Sequence, residues 1–364
     1  MIATPASSAP IPLPSVSDQA GHSGCASRVL AAMSLPEQVG QLLMIGTPVD
    51  DPGALAGAVG TYHLGGVFLA GRSRRPAAAL RADIAALQGK ARQRLLVALD
   101  QEGGDVQTLK GPDFPDLPSA LRLGSGPLAT LRNTIRDSTN RLAGIGVTMN
   151  LAPVADTVPS AVGEANPPIG AFHRQYGSDP DKVAAAIRTV VATARDGGVL
   201  TTLKHFPGLG RTRFNTDTTS KAVDTTTTVD DPYLKPFAAG IKQGSAAVMI
   251  SSAMYPKLDP KSVAAFSEPI ITGLLRNRLG FTGVVVSDDL GAAVAVRRFA
   301  PGDRAVRFVR AGGDLVLSIV AEDAARMSTA LLAAAKSSPA FAARVADAAG
   351  HVLRTKEKAG LIRC

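Results

Sequence analysis

Short apolar segments rich in Val, Ile and Leu alternate along the chain with longer segments in which apolar residues recur every three or four positions. Continuous apolar runs of about four to eight residues are typical of strands buried on both faces, and the wider spacing is typical of amphipathic helices. We predict eight strands from these runs, over residues 41–46, 65–70, 95–100, 147–152, 199–206, 246–252, 283–289 and 314–319.

The segments between these strands carry the residues that begin and end helices, since several open with Asp or Ser and close on Gly. Strands that are apolar throughout and alternate with helices predict an α/β fold, a single (β/α)8 barrel of the TIM type. A doubly wound open sheet is the main alternative, but residues 41–53 contain no GxGxxG nucleotide-binding loop. The predicted helices cover residues 75–92, 128–146, 179–198, 231–244, 267–280 and, as a pair, about 321–359.

Composition narrows the classes of partner. Aromatic residues make up 4% of the 364 residues and Trp is absent, which argues against a nucleic-acid surface built on base stacking. The net charge of +9 is scattered, and RSRRP (72–76) is the one dense basic cluster, so we favour a solvated surface over attraction to an anionic cell wall. No apolar run reaches the length of about 18 residues that a membrane span needs.

The first 24 residues are low in charge and rich in Pro, Ser and Ala, which is typical of a linker after a removed export signal or lipid anchor. We therefore expect a flexible linker over 1–28, a single barrel domain over 29–364, and a location outside the cell or in the cell envelope. Cys25 and Cys364 lack CxxC spacing. In an exported protein they could join the two ends as a disulfide, or they could be unrelated thiols.

Polar residues follow the third, fifth and seventh predicted strands. Asp100 ends the third, Lys204 and His205 end the fifth, and Asp288 and Asp289 end the seventh. The carboxyl ends of barrel strands open on one mouth, so we expect these side chains to form one ligand-binding network in which Lys204 pairs with Asp100. Asp100 could instead cap a turn, Asp288 a helix, and His205 could be a buried structural histidine. No histidine has metal-ligand spacing, so no metal or cofactor is expected.

Several motifs together resemble glycoside hydrolase family 3, and most closely its single-domain bacterial β-N-acetylglucosaminidases. The resemblance covers about Pro36 to Leu317 and implies a retaining β-glycosidase that removes terminal β-linked sugars from carbohydrate substrates, with N-acetylhexosamine of cell-wall glycans expected first. We expect the protein to be a monomer. The motifs occur in the family's order: ALDQEGG (98–104), APVAD (152–156), IGAFHRQYGSDP (169–180), LKHFPGLG (203–210) and GFTGVVVSDDLGA (280–292).

The resemblance also implies roles for individual residues. Asp288 would be the nucleophile that forms a covalent glycosyl-enzyme, and Asp289 would cap the following helix. The positions that would hold the hydroxyls of the bound sugar are Asp100, Arg174, Lys204 and His205.

The loop after KHFPG departs from the family pattern. Where the bacterial glucosaminidases have Asp-Ser-His, with the histidine as acid/base, this chain has Asn215, Thr216 and Asp217. The chain also has Asp105 and Thr108 in place of two arginines of the family, and Leu209 in place of a histidine.

These departures leave three hypotheses for Asp217. It is the acid/base, as an ordinary carboxylic acid with a raised pKa, which we favour. Alternatively it orders the loop while another residue does this work, or the acid/base is lost and the barrel binds glycans without cutting them. Specificity for glucose or xylose also stays open. Because a carboxylate at this place repels phosphate, water is the expected acceptor.

Overall fold

The computed structural model describes residues 24–362 and contains one sheet of eight parallel strands. These strands are β1 Leu43–Pro48, β2 Gly66–Ala70, β3 Leu96–Leu99, β4 Met149–Asn150, β5 Leu200–Phe206, β6 Ala247–Ile250, β7 Val284–Ser287 and β8 Val316–Ser318. They neighbour one another in the order β7-β6-β5-β4-β3-β2-β1-β8, and a bridge between Val286 and Leu315 joins the two ends of this series. The predicted (β/α)8 barrel is confirmed.

Alternate residues of each strand enter two different apolar layers. In β7, Val284 and Val286 lie in the cluster that fills the barrel, whereas Val285 lies in the cluster between the strands and the helices. Successive side chains of a strand point to opposite faces, and here both faces are buried. This arrangement is the physical reason why most strand positions in the sequence are apolar. Strand β5, with Thr201, Thr202, Lys204 and His205, departs most from this pattern.

Each predicted helix is present within a few residues of its predicted bounds. The segment between β6 and β7 forms a π-helix over Pro269–Arg278 instead of an α-helix. Five α-helices were not predicted. Four of them, α1 Cys25–Ala31, α2 Leu35–Gln41, α3 Ala56–Tyr62 and α5 Ala120–Gly124, have seven residues or fewer and are too short to show a clear apolar period. The fifth, α9 Pro301–Arg310, is amphipathic, with Ala305, Phe308 and Val309 buried on one face, so its periodicity could have identified it. The α-helices are α1 Cys25–Ala31, α2 Leu35–Gln41, α3 Ala56–Tyr62, α4 Ala77–Gln88, α5 Ala120–Gly124, α6 Leu128–Gly144, α7 Pro180–Asp196, α8 Lys235–Gln243, α9 Pro301–Arg310, α10 Asp323–Ser337 and α11 Pro339–Lys358.

The predicted linker over 1–28 ends too late in the chain. Residues 25–28 belong to α1, where buried Ala26 packs with Leu353 and the Cys25 amide donates to the Glu357 carboxylate at 3.0 Å. The rest of the linker and Cys364 lie outside the described residues, so the linker and the disulfide stay predictions. Within residues 24–362 no helix is both long and apolar enough to cross a membrane.

Candidate active site

A cavity of about 370 Å³ opens at the carboxyl ends of the barrel strands. Its walls come from the ends of β2, β3, β5 and β7 and from the loops that follow β4 and β5. The structure therefore brings all the predicted site residues into one space, which we call the active-site cavity. These residues are Asp100, Arg174, Lys204, His205, Asp217 and Asp288.

An ion-pair network forms one wall of the cavity. Lys204 Nζ lies 2.6 Å from Asp100 Oδ1 and 2.6 Å from Glu102 Oε1. Arg174 donates to both oxygens of Glu102, through Nε at 2.9 Å and Nη2 at 2.8 Å. The side chains of Lys204 and Glu102 are each 3% exposed, and charges this deep are tolerated because each one has partners.

Glu102 holds this network together, although we did not predict it as a site residue. Burial raises the pKa of its carboxyl, but the charges of Arg174 and Lys204 outweigh burial and lower the pKa to about 2. For Lys204 the effects have the opposite signs. Burial lowers the pKa of its ammonium group, but the negative charges of Asp100 and Glu102 raise it by more, so the pKa is raised overall. Glu102 stands two residues after Asp100, on the same side of an extended segment, so strand periodicity could have identified it.

We predict that Glu102→Gln lowers the free energy of unfolding at pH 7 by about 3 to 5 kcal/mol, because Arg174 loses its carboxylate partner and Lys204 loses one of two. Glu102 is charged in the folded state down to a lower pH than in the unfolded chain, so its contribution is present above pH 4.5 and is lost as the pH falls toward about 2. Urea unfolding of both proteins at several pH values measures the difference.

The exposed Glu268→Gln is the matched control, and we expect it to behave like the wild type. A difference between the wild type and Glu102→Gln that stays constant from pH 7 to the acid limit of folding would contradict this account.

Asp156, which was also not predicted as a site residue, fixes the position of His205. Its fully buried carboxylate lies 2.8 Å from His205 Nδ1 and accepts the main-chain N–H groups of His205 and of Leu209. A carboxylate on Nδ1 requires the proton there, which leaves Nε2 to face a ligand. The only sequence signal was the final acid of the APVAD motif.

The two acids after β7 have different tasks. Asp289 accepts the main-chain N–H groups of Gly291 and Ala292, both at 2.9 Å, and of Ile319 at 3.0 Å. It caps a turn and not the helix that we predicted. Asp288 accepts one main-chain N–H, that of Asp289 at 2.9 Å, and lines the cavity. Of the two, Asp288 is the carboxylate available to a ligand.

The loop that carries Asp217 is anchored at its root. Asn166 is fully buried and donates through Nδ2 to the main-chain oxygens of Leu209 and Thr212, both at 2.8 Å. The hydroxyl of Tyr255 donates to the Gly208 carbonyl at 2.8 Å.

The tip of the same loop is docked beside Asp288. The Asp217 amide donates to Asn215 Oδ1 at 2.9 Å, and the amides of Val294 and Ala295 donate to the carbonyls of Asp217 and Thr216. The loop is thereby bonded to the segment that follows β7.

The position of Asp217 changes its acidity. Asp217 is accessible to solvent, but the surrounding cavity wall displaces part of the water around its carboxyl and raises its pKa; repulsion from Asp288 raises it further, against the smaller opposing effects of His205 and Arg174. A carboxyl that keeps its proton to a higher pH is the kind of group that donates a proton during catalysis. The cavity therefore places two carboxyl groups together, and that of Asp217 keeps its proton to a higher pH than an ordinary aspartate does.

The other departures from the family pattern lie at the same mouth. Thr108 is buried, lines the cavity and donates through Oγ1 to the Asp100 carbonyl at 2.9 Å, whereas Asp105 is exposed. Leu209 adds an apolar side chain to the cavity wall. Across residues 24–362, no group of three or more His, Cys, Asp or Glu side chains is arranged to hold a metal ion.

Comparison with known proteins gives a family match over most of the chain. The model for the glycosyl hydrolase family 3 N terminal domain matches residues 34–355. A β-hexosaminidase of Xylella fastidiosa (strain M23) is 38% identical over 222 residues, which are 58% of this chain. The match spans 63% of that relative's length, which is less than two thirds. A β-hexosaminidase of Xanthomonas oryzae pv. oryzae (strain KACC10331 / KXO85) is 31% identical over 68% of this chain and 77% of its own length.

Two solved structures are similar over nearly the whole chain. The β-N-acetylhexosaminidase of Beutenbergia cavernae DSM 12333 is 46% identical, with a TM-score of 0.88 over 90% of this chain and 99% of its own. The family 3 β-N-acetylglucosaminidase of Paenibacillus sp. str. FPU-7 is 31% identical, with a TM-score of 0.83 over 92% of this chain and 64% of its own.

Proposed function

This chain belongs to glycosyl hydrolase family 3, and on that premise we propose that it is a retaining β-glycosidase that removes β-linked N-acetylhexosamine from the non-reducing ends of glycans. The observation that carries the proposal is the pair of carboxyl groups in one cavity, Asp288 and Asp217, with the pKa of Asp217 raised by burial and by Asp288. The names of the Xylella, Xanthomonas and Beutenbergia proteins support N-acetylhexosamine as the sugar.

In this proposal the two carboxyl groups act in sequence. Asp217 gives its proton to the leaving oxygen while a carboxylate oxygen of Asp288 attacks the anomeric carbon, so the glycosidic bond breaks as the ester bond to Asp288 forms. Asp217, now a carboxylate, then takes a proton from a water molecule that attacks the same carbon and releases Asp288. Retention of configuration follows from two displacements at one carbon.

The polar wall of the cavity supports binding of a terminal sugar. The carboxylate of Asp100 and Nε2 of His205 can accept hydroxyl protons, whereas Lys204 and Arg174 can donate to hydroxyl oxygens. Because ion pairs and buried partners hold all four groups in place, they need little reorganisation as the sugar ring flattens in the transition state. Contacts that strengthen in that state increase the rate and not only the affinity.

The cellular setting is part of the same proposal. The Pro-, Ser- and Ala-rich sequence before residue 29 supports a location outside the cell or in the cell envelope, where fragments of cell-wall glycan would be the substrates.

A panel of 4-nitrophenyl β-glycosides tests the proposed function. We expect the N-acetylglucosaminide to have the highest kcat/KM, ahead of the glucoside and the xyloside, with release of the β-anomer first in an NMR time course. Highest activity on glucose or xylose would correct the sugar, and sugar binding without turnover of any substrate would make the protein a glycan-binding module. Release that is faster in phosphate than in a matched inert buffer would contradict water as the acceptor.

A further inference from the structure

A second cavity lies at the opposite end of the barrel from the active-site cavity. Its volume is about 750 Å³, and its walls come from the segments that lead into β5, β6 and β7 and from the C-terminal half of α11. The strands begin at this end, whereas the active-site cavity lies where they end. We call this space the amino-end cavity. The proposed reaction uses none of the residues that line it.

The charged side chains that line the amino-end cavity are basic. They are Arg195, Arg354 and Lys358, all three exposed, and none of the acids in residues 24–362 lines the cavity. Arg195 already has partners, since it donates to Asp196 at 3.2 Å and to the Gln243 carbonyl at 3.4 Å. The side chains of Arg354 and Lys358 form no ion pair and no hydrogen bond with the rest of the described chain. Two cations are therefore left for a ligand.

The acids near this end of the barrel are bonded elsewhere. Asp314 is fully buried and bonded to two arginines and, at 3.1 Å, to Nδ1 of His351. Glu357 accepts the main-chain amide of Cys25 at 3.0 Å. Neither acid line the wall of the cavity, so the charge of Arg354 and Lys358 is not neutralised by them.

The spacing of the two free cations is unfavourable without an anion. Arg354 and Lys358 are four residues apart on α11, and like charges at this spacing on a helix repel each other. The helix dipole favours a cation in the last turn, where Lys358 lies, but this does not account for a second cation one turn earlier. An anion bound between the two side chains would turn the repulsion into attraction.

Thr355 adds a hydrogen-bonding group to the same wall. Its side chain lines the cavity and is 4% exposed. Its hydroxyl has no hydrogen-bond partner among the residues that the structure describes. A hydroxyl with so little access to water is stabilised when a ligand oxygen accepts its proton.

We propose that the amino-end cavity binds a phosphate monoester with an apolar organic part. Arg354, Lys358 and Thr355 would donate to the phosphate, which offers three oxygens to these three groups, whereas a carboxylate offers two. Leu200 and Phe281 supply an apolar wall for the organic part. A lipid headgroup and a soluble phosphate ester share this chemistry. Binding at this end leaves the mouth of the active-site cavity open, so the protein can hold the phosphate and a glycan at the same time.

Isothermal titration calorimetry of the full chain with 1-naphthyl phosphate tests the proposal. We expect saturable binding that is about tenfold tighter than that of inorganic phosphate or 1-naphthoate, and that weakens with added NaCl. Arg354→Gln combined with Lys358→Gln should raise Kd about tenfold or more. Thr355→Val, which keeps the shape and the charge of the site, should raise it about fivefold, as loss of one hydrogen bond does.

A matched control separates the cavity from the general charge of this end. Lys90 precedes β3 and Lys242 lies at the end of α8, so both are at the same end of the barrel; both are exposed, and neither lines the cavity. Lys90→Gln combined with Lys242→Gln removes the same charge and should leave Kd unchanged. Circular dichroism shows that each variant is folded.

Vesicles identify the source of the phosphate. If the protein sediments with phosphatidylcholine vesicles only when they contain phosphatidic acid, and Arg354→Gln with Lys358→Gln abolishes this, the ligand is a lipid headgroup. If 1-naphthyl phosphate binds and these vesicles do not, the ligand is a soluble phosphate ester.

Four results would overturn the inference: no saturable binding of 1-naphthyl phosphate, an equal loss in the control variant, a Kd that Thr355→Val leaves unchanged, or competitive inhibition of glycoside hydrolysis by 1-naphthyl phosphate, which would place it in the active-site cavity. The binding measurements need no turnover, so they stand or fall separately from the proposed function.

Discussion

Replacement of Asp288 by alanine is expected to lower kcat by about 10⁴-fold or more on every aryl β-glycoside that the wild type cleaves, as loss of a covalent nucleophile does in other enzymes. Neighbouring Asp289 cannot replace it, because its carboxylate is committed to three main-chain N–H groups. Steady-state release of 4-nitrophenol measures the loss, and circular dichroism shows whether the variant is folded.

A reagent that traps the covalent glycosyl-enzyme tests the role of Asp288 without a measurement of turnover. A 5-fluoro glycoside of the preferred sugar should add one glycosyl unit to the wild type and none to Asp288→Ala, as read by mass spectrometry. Asp289→Asn is the matched control, since it keeps an oxygen that accepts main-chain N–H groups, and it should still be labelled. A label on any other residue would remove Asp288 from the role of nucleophile.

The barrel could be predicted from the sequence because its signals are local. Most strand positions are apolar, since both faces of each strand are buried, and the carboxyl ends of three strands are marked by polar residues such as Asp100 and Asp288. The apolar residues of α9 are spaced as in an amphipathic helix, so the sequence does contain a signal for it. Nothing in the residue types of Pro269–Arg278 distinguishes a π-helix from an α-helix.

The parts of the site that escaped prediction depend on contacts between distant residues. Asp156 acts through His205, which is 49 positions away, and Glu102 acts through Arg174, which is 72 positions away. Sequence identifies residues with suitable chemistry, whereas the exact partners follow from strand order and register, which no single motif encodes.

Replacement of Asp217 by alanine is expected to have an effect that depends on the leaving group. A poor leaving group needs a proton from Asp217, so kcat/KM on an unactivated disaccharide should fall by about 10²- to 10⁴-fold. A 2,4-dinitrophenyl glycoside needs no proton to leave, so its first step should be nearly unaffected and the glycosyl-enzyme should accumulate. A burst of phenol followed by slow turnover is the expected time course.

The pH profile gives a second measure of the same carboxyl. Because burial and Asp288 raise the pKa of Asp217, its proton is present below that pKa, and wild-type kcat/KM on the disaccharide should decline as the pH rises through it. This basic limb should be missing when Asp217→Ala acts on the 2,4-dinitrophenyl glycoside. If the limb persists in the variant, a different group supplies the proton.

Added azide distinguishes a catalytic role of Asp217 from a role in ordering its loop. Azide is a nucleophile that needs no general base, so in Asp217→Ala it should restore turnover of the 2,4-dinitrophenyl glycoside and yield the β-glycosyl azide. Thr218→Ala, which alters the adjacent exposed residue of the same loop, is the control and should show neither a burst nor a response to azide. If Asp217→Ala loses the same fraction of its rate on substrates with good and with poor leaving groups, and azide does not restore turnover, then Asp217 orders the loop. An unchanged rate on the disaccharide would remove Asp217 from the mechanism.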